Sequence, residues 1–470
     1  MNKKVSSFTI ICALIFSVGT LAFPAAAQEA PEAAERSGVG PDQGEGVKLE
    51  GELEIIHQDF KDGRGRYLYS LKLSDGTRVP LRFLKEPPTH LLTGDHVRAN
   101  GRLSGGSLIL YSGSTNVKKT TGGSTTTSTS STPVPYTFGA QSTLVILVNF
   151  QDDVVEPYAF ADVQNAFFTT ANSFIMENSY GQASLTGAVV GWYTIQDSVT
   201  TCNTTQIATD AKNAAVAAGA NLSNYTRYVY AFPHNNACGW AGSSTVGGNP
   251  SQSWINMNTL DIHVIDHELG HAFGLWHSHS LGCGTTATIC SSGTVVDYGD
   301  LLDTMGVPQT ASAHYNAFQK ERLGWLNYGA SPSIQTVTSS GTYTINTYEL
   351  GGPGPKALKV LKSTDPTTGA KTWYYLEARQ AAGFDAFLAD PTYYTENETT
   401  GVLFHIGTNG NGNSGELPDM TPATPTSSGW FDPSLAVGQS FQDSAAGVTF
   451  TTASATSTGA VVSVQFSGGH

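Results

Sequence analysis

Hydrophobic residues recur along this chain in different rhythms, and each rhythm marks a region. From Val47 to Tyr111 the period is two: Tyr67, Tyr69, Leu71 and Leu73 alternate with polar residues and lead into Asp75-Gly76, a turn signal. Segments 47–58, 66–74, 78–84, 95–103 and 107–111 therefore read as short strands, and GDHVRANGRLSGGSL resembles the later strands of OB-like folds. They predict a small β-barrel over 47–112, a fold that does not by itself imply oligonucleotide binding. Farther on the periods mix. Leu144 to Phe150 is a continuous apolar run of buried-strand type, and Phe160, Val163, Phe167, Phe174 and Ile175 keep helical spacing. The Ala-rich stretch 205–218 ends at Gly219 as a second helix. Tyr228–Phe232 and Trp254–Met257 read as strands, followed by Ile262, Ile265, Leu269, Ala272 and Phe273 on one helical face. After Pro332, strands at 341–346, 357–362, 373–379, 401–406 and 448–465 predict a β-sandwich over 331–470, with Trp373, Tyr374 and Tyr375 in its sheet.

Other stretches cannot build a core. Residues 28–46 are Ala, Glu, Gly and Pro with almost no bulky apolar side chain and are expected to be disordered. The Ser/Thr/Gly tract 113–135 reads as a linker. At the start, Lys3 and Lys4 precede an apolar run from Phe8 to Phe23 and the small residues Ala25-Ala26-Ala27, the pattern of a secretory signal peptide over 1–27. No later stretch is long and apolar enough for a membrane span. The expected class is a multidomain α+β chain with a small amino-terminal barrel, a mixed sheet with helices over 136–330, and a carboxy-terminal sandwich.

Candidate chemistry concentrates in HELGHAFGLWH, His267 to His277. On a helix, His267 and His271 lie four residues apart and leave the same face, so both rings can reach one ion. His277 lies six residues beyond His271, so the chain must turn, and Gly274 can take the left-handed conformation that turns it. Three neutral imidazoles plus one water make a catalytic zinc site, with Glu268 placed to take the water's proton as general base. His263 and His279 are rival ligands at less suitable spacing, and second-layer contact or plain surface is the alternative for each.

The extended motif is the metzincin signature, and Asp303-Thr304-Met305-Gly306 resembles the Met-turn of that clan. Met305 is one of five methionines in the chain; its alternative role is ordinary core packing. SFIMENSYGQASLTG (173–187), CGWAGSSTVGG (238–248), YGDLLDTMG (298–306) and AFQKERLGWL (317–326) look like the gametolysin-like zinc metallopeptidases in their bacterial secreted form, over roughly 140–330. The resemblance implies endopeptidase activity on protein or peptide substrates, with His267, His271 and His277 as ligands and Glu268 as catalytic base. A tyrosine ligand, known in some metzincins, has Tyr315 as its nearest downstream candidate here, and Ser278 receives no role.

Composition narrows the setting. Five cysteines occur, and Cys12 would leave with the leader. The remaining four, Cys202, Cys238, Cys283 and Cys290, allow three pairings; Cys202 with Cys238 and Cys283 with Cys290 joins sequence neighbours, and a cysteine metal site is the alternative. The net charge of −14 argues against nucleic acid and anionic membrane as partners. Acidic stretches at Asp152-Asp153 and Asp297 to Asp303 make Ca2+ a further candidate, although neither has the spacing of a defined calcium loop.

The barrel and linker ahead of a secreted protease read as a propeptide, cut within the linker or after Lys118-Lys119, that acts as an intramolecular inhibitor. Because 28–140 lacks cysteine, a thiolate cannot be its latency device. Two other functional classes remain open: a surface-binding or adhesive protein with a vestigial metal site, and a zinc amidase acting on cell-wall peptides.

Overall fold

The computed structural model describes residues 46–60, 63–120, 133–307, 312–392, 394, 397–424 and 430–467. The expected leader 1–27, the acidic segment apart from Gly46, and linker residues 121–132 lie outside these. The class is mixed α+β, rich in sheet and with few helices.

Amino-terminal strands are β1 (Val47–Phe60), β2 (Gly65–Lys72), β3 (Arg78–Phe83), β4 (His96–Ser104), β5 (Ser107–Leu110) and β6 (Val117–Lys119). Neighbour pairing runs β1-β2-β3-β5-β4, and β4 returns to β1, so the strands enclose Leu53, Ile55, Leu71, Leu81, Val97 and Leu108. Gly113–Lys119, expected as linker, folds on instead as a helical turn and β6, because Val117 is fully buried.

The central strands are β7 (Gly139–Phe150), β8 (Ala183–Ile195), β9 (Arg227–Phe232), β10 (Trp240–Thr245) and β11 (Ser251–Asn256). Their order is β10-β11-β9-β7-β8, parallel from β11 to β8. Both faces are covered, which explains the unbroken apolar run in β7. Leu144, Ile146 and Val148 pack under the helix Thr204–Ala217 through Ile207, Ala211 and Ala215, while Val145 and Leu147 face Ile265, Leu269 and Phe273 of the helix Ile262–Phe273.

β1 joins the two regions. At 14 residues it spans about 45 Å, long enough to serve the ring with one half and the central sheet with the other. Ile56–Phe60 pairs antiparallel with β10, making one eleven-stranded sheet.

After the motif helix come β12 (Ser278–Gly282), β13 (Thr294–Val296), β14 (Ile334–Val337), β15 (Gly341–Asn346), β16 (Ala357–Thr364), β17 (Lys371–Glu377), β18 (Gly401–Thr408), β19 (Asn411–Pro418), β20 (Leu435–Ala436), β21 (Ser440–Asp443), β22 (Val448–Thr456) and β23 (Gly459–Phe466). One sheet runs β13-β12-β19-β18-β17-β16-β14, with β20 on β18, and a four-stranded sheet runs β15-β23-β22-β21. Leu358, Tyr374 and Phe404 of the first share a core with Phe450, Val462 and Val464 of the second. The run 448–465, read as one strand, is a hairpin that turns at Ser457-Thr458, with Gly459 at φ 134°. Because β12 pairs with β19, the sheet crosses the boundary expected near residue 330.

Candidate metal centre

The motif helix is set by its ends. The Asp261 carboxylate accepts from the His263 N–H at 2.9 Å and caps the start. Gly274 closes the end in the left-handed region at φ 104°, and the Leu275 N–H returns to the Gly270 carbonyl at 3.0 Å. The turn that sequence assigned to Gly274 thus brings His277 back beside His267 and His271. Ring centroids lie 4.9 Å apart for His267 and His271, 5.3 Å for His267 and His277, and 5.1 Å for His271 and His277.

Each ring is oriented through Nδ1. His267 Nδ1 lies 2.7 Å from the Thr304 carbonyl, His271 Nδ1 2.9 Å from the Leu275 carbonyl, and His277 Nδ1 3.0 Å from Asp297 Oδ1. All three partners are acceptors, so a neutral ring carries its proton on Nδ1 and leaves a lone pair on Nε2. The Nε2 atoms converge on the Asp59 carboxylate, at 3.2, 3.8 and 3.2 Å for His267, His271 and His277. Neutral imidazoles so placed would set three lone pairs against a carboxylate, and the buried His271 Nε2 has no hydrogen-bond partner among the described residues. A cation at their meeting point supplies what the set lacks. His57, Asp59, His271 and His277 likewise offer ligand atoms within 4.8 Å of one another. His57, however, turns Nδ1 to Asp59 Oδ2 at 2.9 Å and so serves as the carboxylate's partner.

Glu268 lies beside this cluster, buried, with neither carboxylate oxygen hydrogen-bonded among the described residues. Burial first, and then the charge of Asp59, push its carboxyl well above the usual range. Burial acts the same way on Asp59, but His57 and His267 outweigh it and hold that carboxyl well below its usual range. The room for Glu268 comes from Gly242 on β10, where a Cβ would stand 2.0 Å from Oε1. Tyr298, held at φ 57°, donates its hydroxyl to Asp59 Oδ1 at 2.5 Å and packs its ring 3.7 Å from that of His277.

Met305 is fully buried, and a Cβ on Gly270 would meet its sulfur at 2.3 Å, so the helix glycine makes room for the methionine beneath the histidines. The Asp303 carboxylate accepts from the Met305 N–H at 2.7 Å, and the Ser278 N–H reaches the Met305 carbonyl at 2.9 Å, tying the turn to His277. Tyr315 points elsewhere and donates to the Asp266 carbonyl at 2.9 Å. The His263 ring stands 5.9 Å from that of His267, and His279 shares Asp297 with His277. The Ser278 hydroxyl accepts from Asn316 at 3.2 Å. The disulfides are Cys202–Cys238 and Cys283–Cys290, the second closing the loop between β12 and β13. Among the acidic residues considered for Ca2+, Asp152 binds Ser198 and Val199, Asp300 binds His405, and Asp303 also binds the Asn316 N–H.

Sequence reasoning singled out none of His57, Asp59, Gly242 or Tyr298 for the site, and it treated Asp297 only as part of an acidic stretch. The one available signal for the first two was a pair of titratable side chains at alternate positions on an otherwise apolar strand face.

The family model for gametolysin peptidase M11 matches residues 150–396, more than half of the chain. The chain belongs to the gametolysin peptidase family. Membership suggests a metallopeptidase, and the cluster of histidine and aspartate side chains could hold a metal. The matched stretch of this gametolysin relative contains the three motif histidines, Glu268 and Met305, and stops short of Asp59. No curated protein matches the chain. One solved structure, described as that of a chaperone–substrate complex, is similar at 11% identity over 44% of this chain, with a TM-score of 0.21. The chain spans 29% of that structure's length, and the likeness carries no argument. No helix among the described residues is long and apolar enough to cross a membrane, and two disulfides are compatible with an extracellular setting.

Proposed function

We propose that this gametolysin relative is an exported zinc endopeptidase of metzincin type that cuts internal peptide bonds of extracellular or cell-wall proteins. The convergence of three Nδ1-anchored imidazoles on one point, with a buried carboxylate beside it, carries this reading. His267, His271 and His277 would hold the ion; three nitrogen donors with one position left open suit catalytic zinc. Once bound, zinc supplies Lewis acidity to the scissile carbonyl and lowers the pKa of water.

The remaining work falls to the chain. Glu268 takes the proton from the attacking water and passes it to the departing amine, and its raised affinity for a proton suits the holding step. Met305 and Gly270 fix the spacing of the first two histidines from below. Beyond β1, β10 is the edge of the central sheet, and an extended peptide could pair there by strand addition.

The assignment extends to the segments. Residues 1–27 serve as leader, 47–119 as an OB-like propeptide that inhibits in cis, 120–135 as the joint, 136–330 as the catalytic region and 331–470 as a β-sandwich that β12 and β13 extend. Processing within the tract 121–132 fits better than after Lys118-Lys119, because those lysines are paired with β4 and Lys119 binds Asp95.

The test is metal content together with mass spectrometry of peptides released from a mixed protein substrate, before and after limited proteolysis in 121–132. Glu268→Gln should keep one zinc per chain and lower turnover about 10²–10⁴-fold. Equal turnover by both forms sinks the base assignment, and zinc binding undiminished by His271→Ala sinks the metal site.

A further inference from the structure

Resting on the zinc peptidase reading, we propose that Asp59 is a built-in occupant of the catalytic position, delivered by a strand that lies where an extended substrate would. The intact chain is then latent because one carboxylate and one segment of backbone fill the site together.

Register makes the delivery specific. Asp59 pairs with Gly242 of β10 on one side and Gly65 of β2 on the other. Both neighbours lack side chains where there is no space for one: a Cβ on Gly242 would stand 2.0 Å from Glu268 Oε1, and one on Gly65 2.6 Å from the Tyr298 hydroxyl. A bulge follows at once, since Asp59 faces Gly242 while Phe60 faces Trp240, and bulges re-aim the side chains beside them. Two residues earlier on the same face, His57 sets its ring 4.7 Å from His271 and 4.2 Å from His277.

The carboxylate is also held. His57 Nδ1 stands 2.9 Å from Oδ2, and the Tyr298 hydroxyl donates to Oδ1 at 2.5 Å, leaving the side chain 14% exposed. Without a cation, neutral imidazoles would set three lone pairs, and the carboxylate of Glu268, against this anion. With one, Asp59 is a fourth, oxygen ligand in the position where attacking water would otherwise sit. Glu268 would then have no water to deprotonate, and β10 no free edge for a peptide.

The experiment uses the full chain loaded with Co2+ for spectroscopy and Zn2+ for hydrolysis of an internally quenched peptide, comparing wild type with Asp59→Ala and Asp59→Asn. The asparagine form keeps the shape, so a folding failure of the alanine form does not remove the test. Expected results are a changed visible Co2+ spectrum in both variants and hydrolysis raised about tenfold or more, because the competent fraction grows. Superimposable spectra with equal hydrolysis in all three forms would overturn the occupant and leave the peptidase intact. Changed spectra with no hydrolysis by any form would keep the occupant and remove the peptidase reading.

Discussion

The central region is joined to its neighbours in two ways, and the joints differ in what they leave unpaired. On the amino-terminal side the contact centres on the short ladder of Ile56–Phe60 on β10, with the Tyr67 ring tilted against Trp276 at 4.6 Å between centroids. Around it, both oxygens of Glu268 and Nε2 of His57 and of His271 lack hydrogen-bond partners among the described residues. On the carboxy-terminal side several buried charges are paired. Arg379 binds Glu377 at 2.8 Å and Asp385 at 2.6 Å, and these acids also accept from the Ala317 and His314 N–H groups. Lys359 and the Tyr375 hydroxyl meet on Glu321, at 2.6 and 2.7 Å. The family match runs on to residue 396, so it takes in this joint and leaves out the other. A joint whose buried carboxylates meet cations is built to stay closed, whereas one that buries unanswered acceptors is completed by something that can leave.

The largest stability effect should therefore come from the carboxy-terminal joint. Arg379→Ala leaves Asp385 buried without its cation and Glu377 with His405 alone, and should cost about 3–5 kcal/mol by denaturant midpoint. A change under about 1 kcal/mol would mean that water reaches those carboxylates and the joint is not sealed.

A smaller, pH-dependent effect sharpens the same contrast. Burial, and then Arg379, lower Lys320 to about 7, so its charge is a penalty below pH 7 that is relieved as pH rises toward 10.5. For His405, burial is outweighed by Glu377 and Asp300, which raise it to about 10; its contribution is complete below pH 6.5 and fades toward pH 10. The two slopes oppose, and the intact joint should be nearly level from pH 7 to 10. Lys320→Met removes one of them, so its stability relative to wild type should be highest near pH 7 and fall steadily to pH 10. Parallel wild-type and variant curves would show that Lys320 keeps its charge in this joint and that burial there exacts no penalty.

What the sequence disclosed follows the range of the forces involved. The motif helix, its Gly274 stop and the return of His277 depend on neighbours within a few residues, so spacing alone sufficed. The amino-terminal strands were legible because their alternation is regular. β12 and β19 were not, since Ser278–Gly282 and Asn411–Pro418 hold few apolar residues and owe their strand state to one another. Asp59 was invisible for a related reason. Its meaning comes from His267, 208 positions away, and from a register that no local pattern encodes.

The last expectation returns to the amino-terminal joint, where stability and activity should separate. Gly242→Ala places a methyl group where Glu268 Oε1 now lies, and the neighbours that must give way are the base and, across the ladder, Asp59. Backbone conformation is no obstacle, because Gly242 is not among the glycines at positive φ, so the effect isolates crowding. Overpacking of this kind should cost about 1–3 kcal/mol, less than loss of Arg379, since a carboxylate with no hydrogen bonds to break can rotate away. Hydrolysis should fall further than stability does, because the displaced group is the base. A peptidase assay after processing in 121–132, beside a denaturation curve, reads both. Full activity with the stability loss would show that Glu268 works from another position, and the contrast between a sealed joint and a catalytic one would then lose its chemical half.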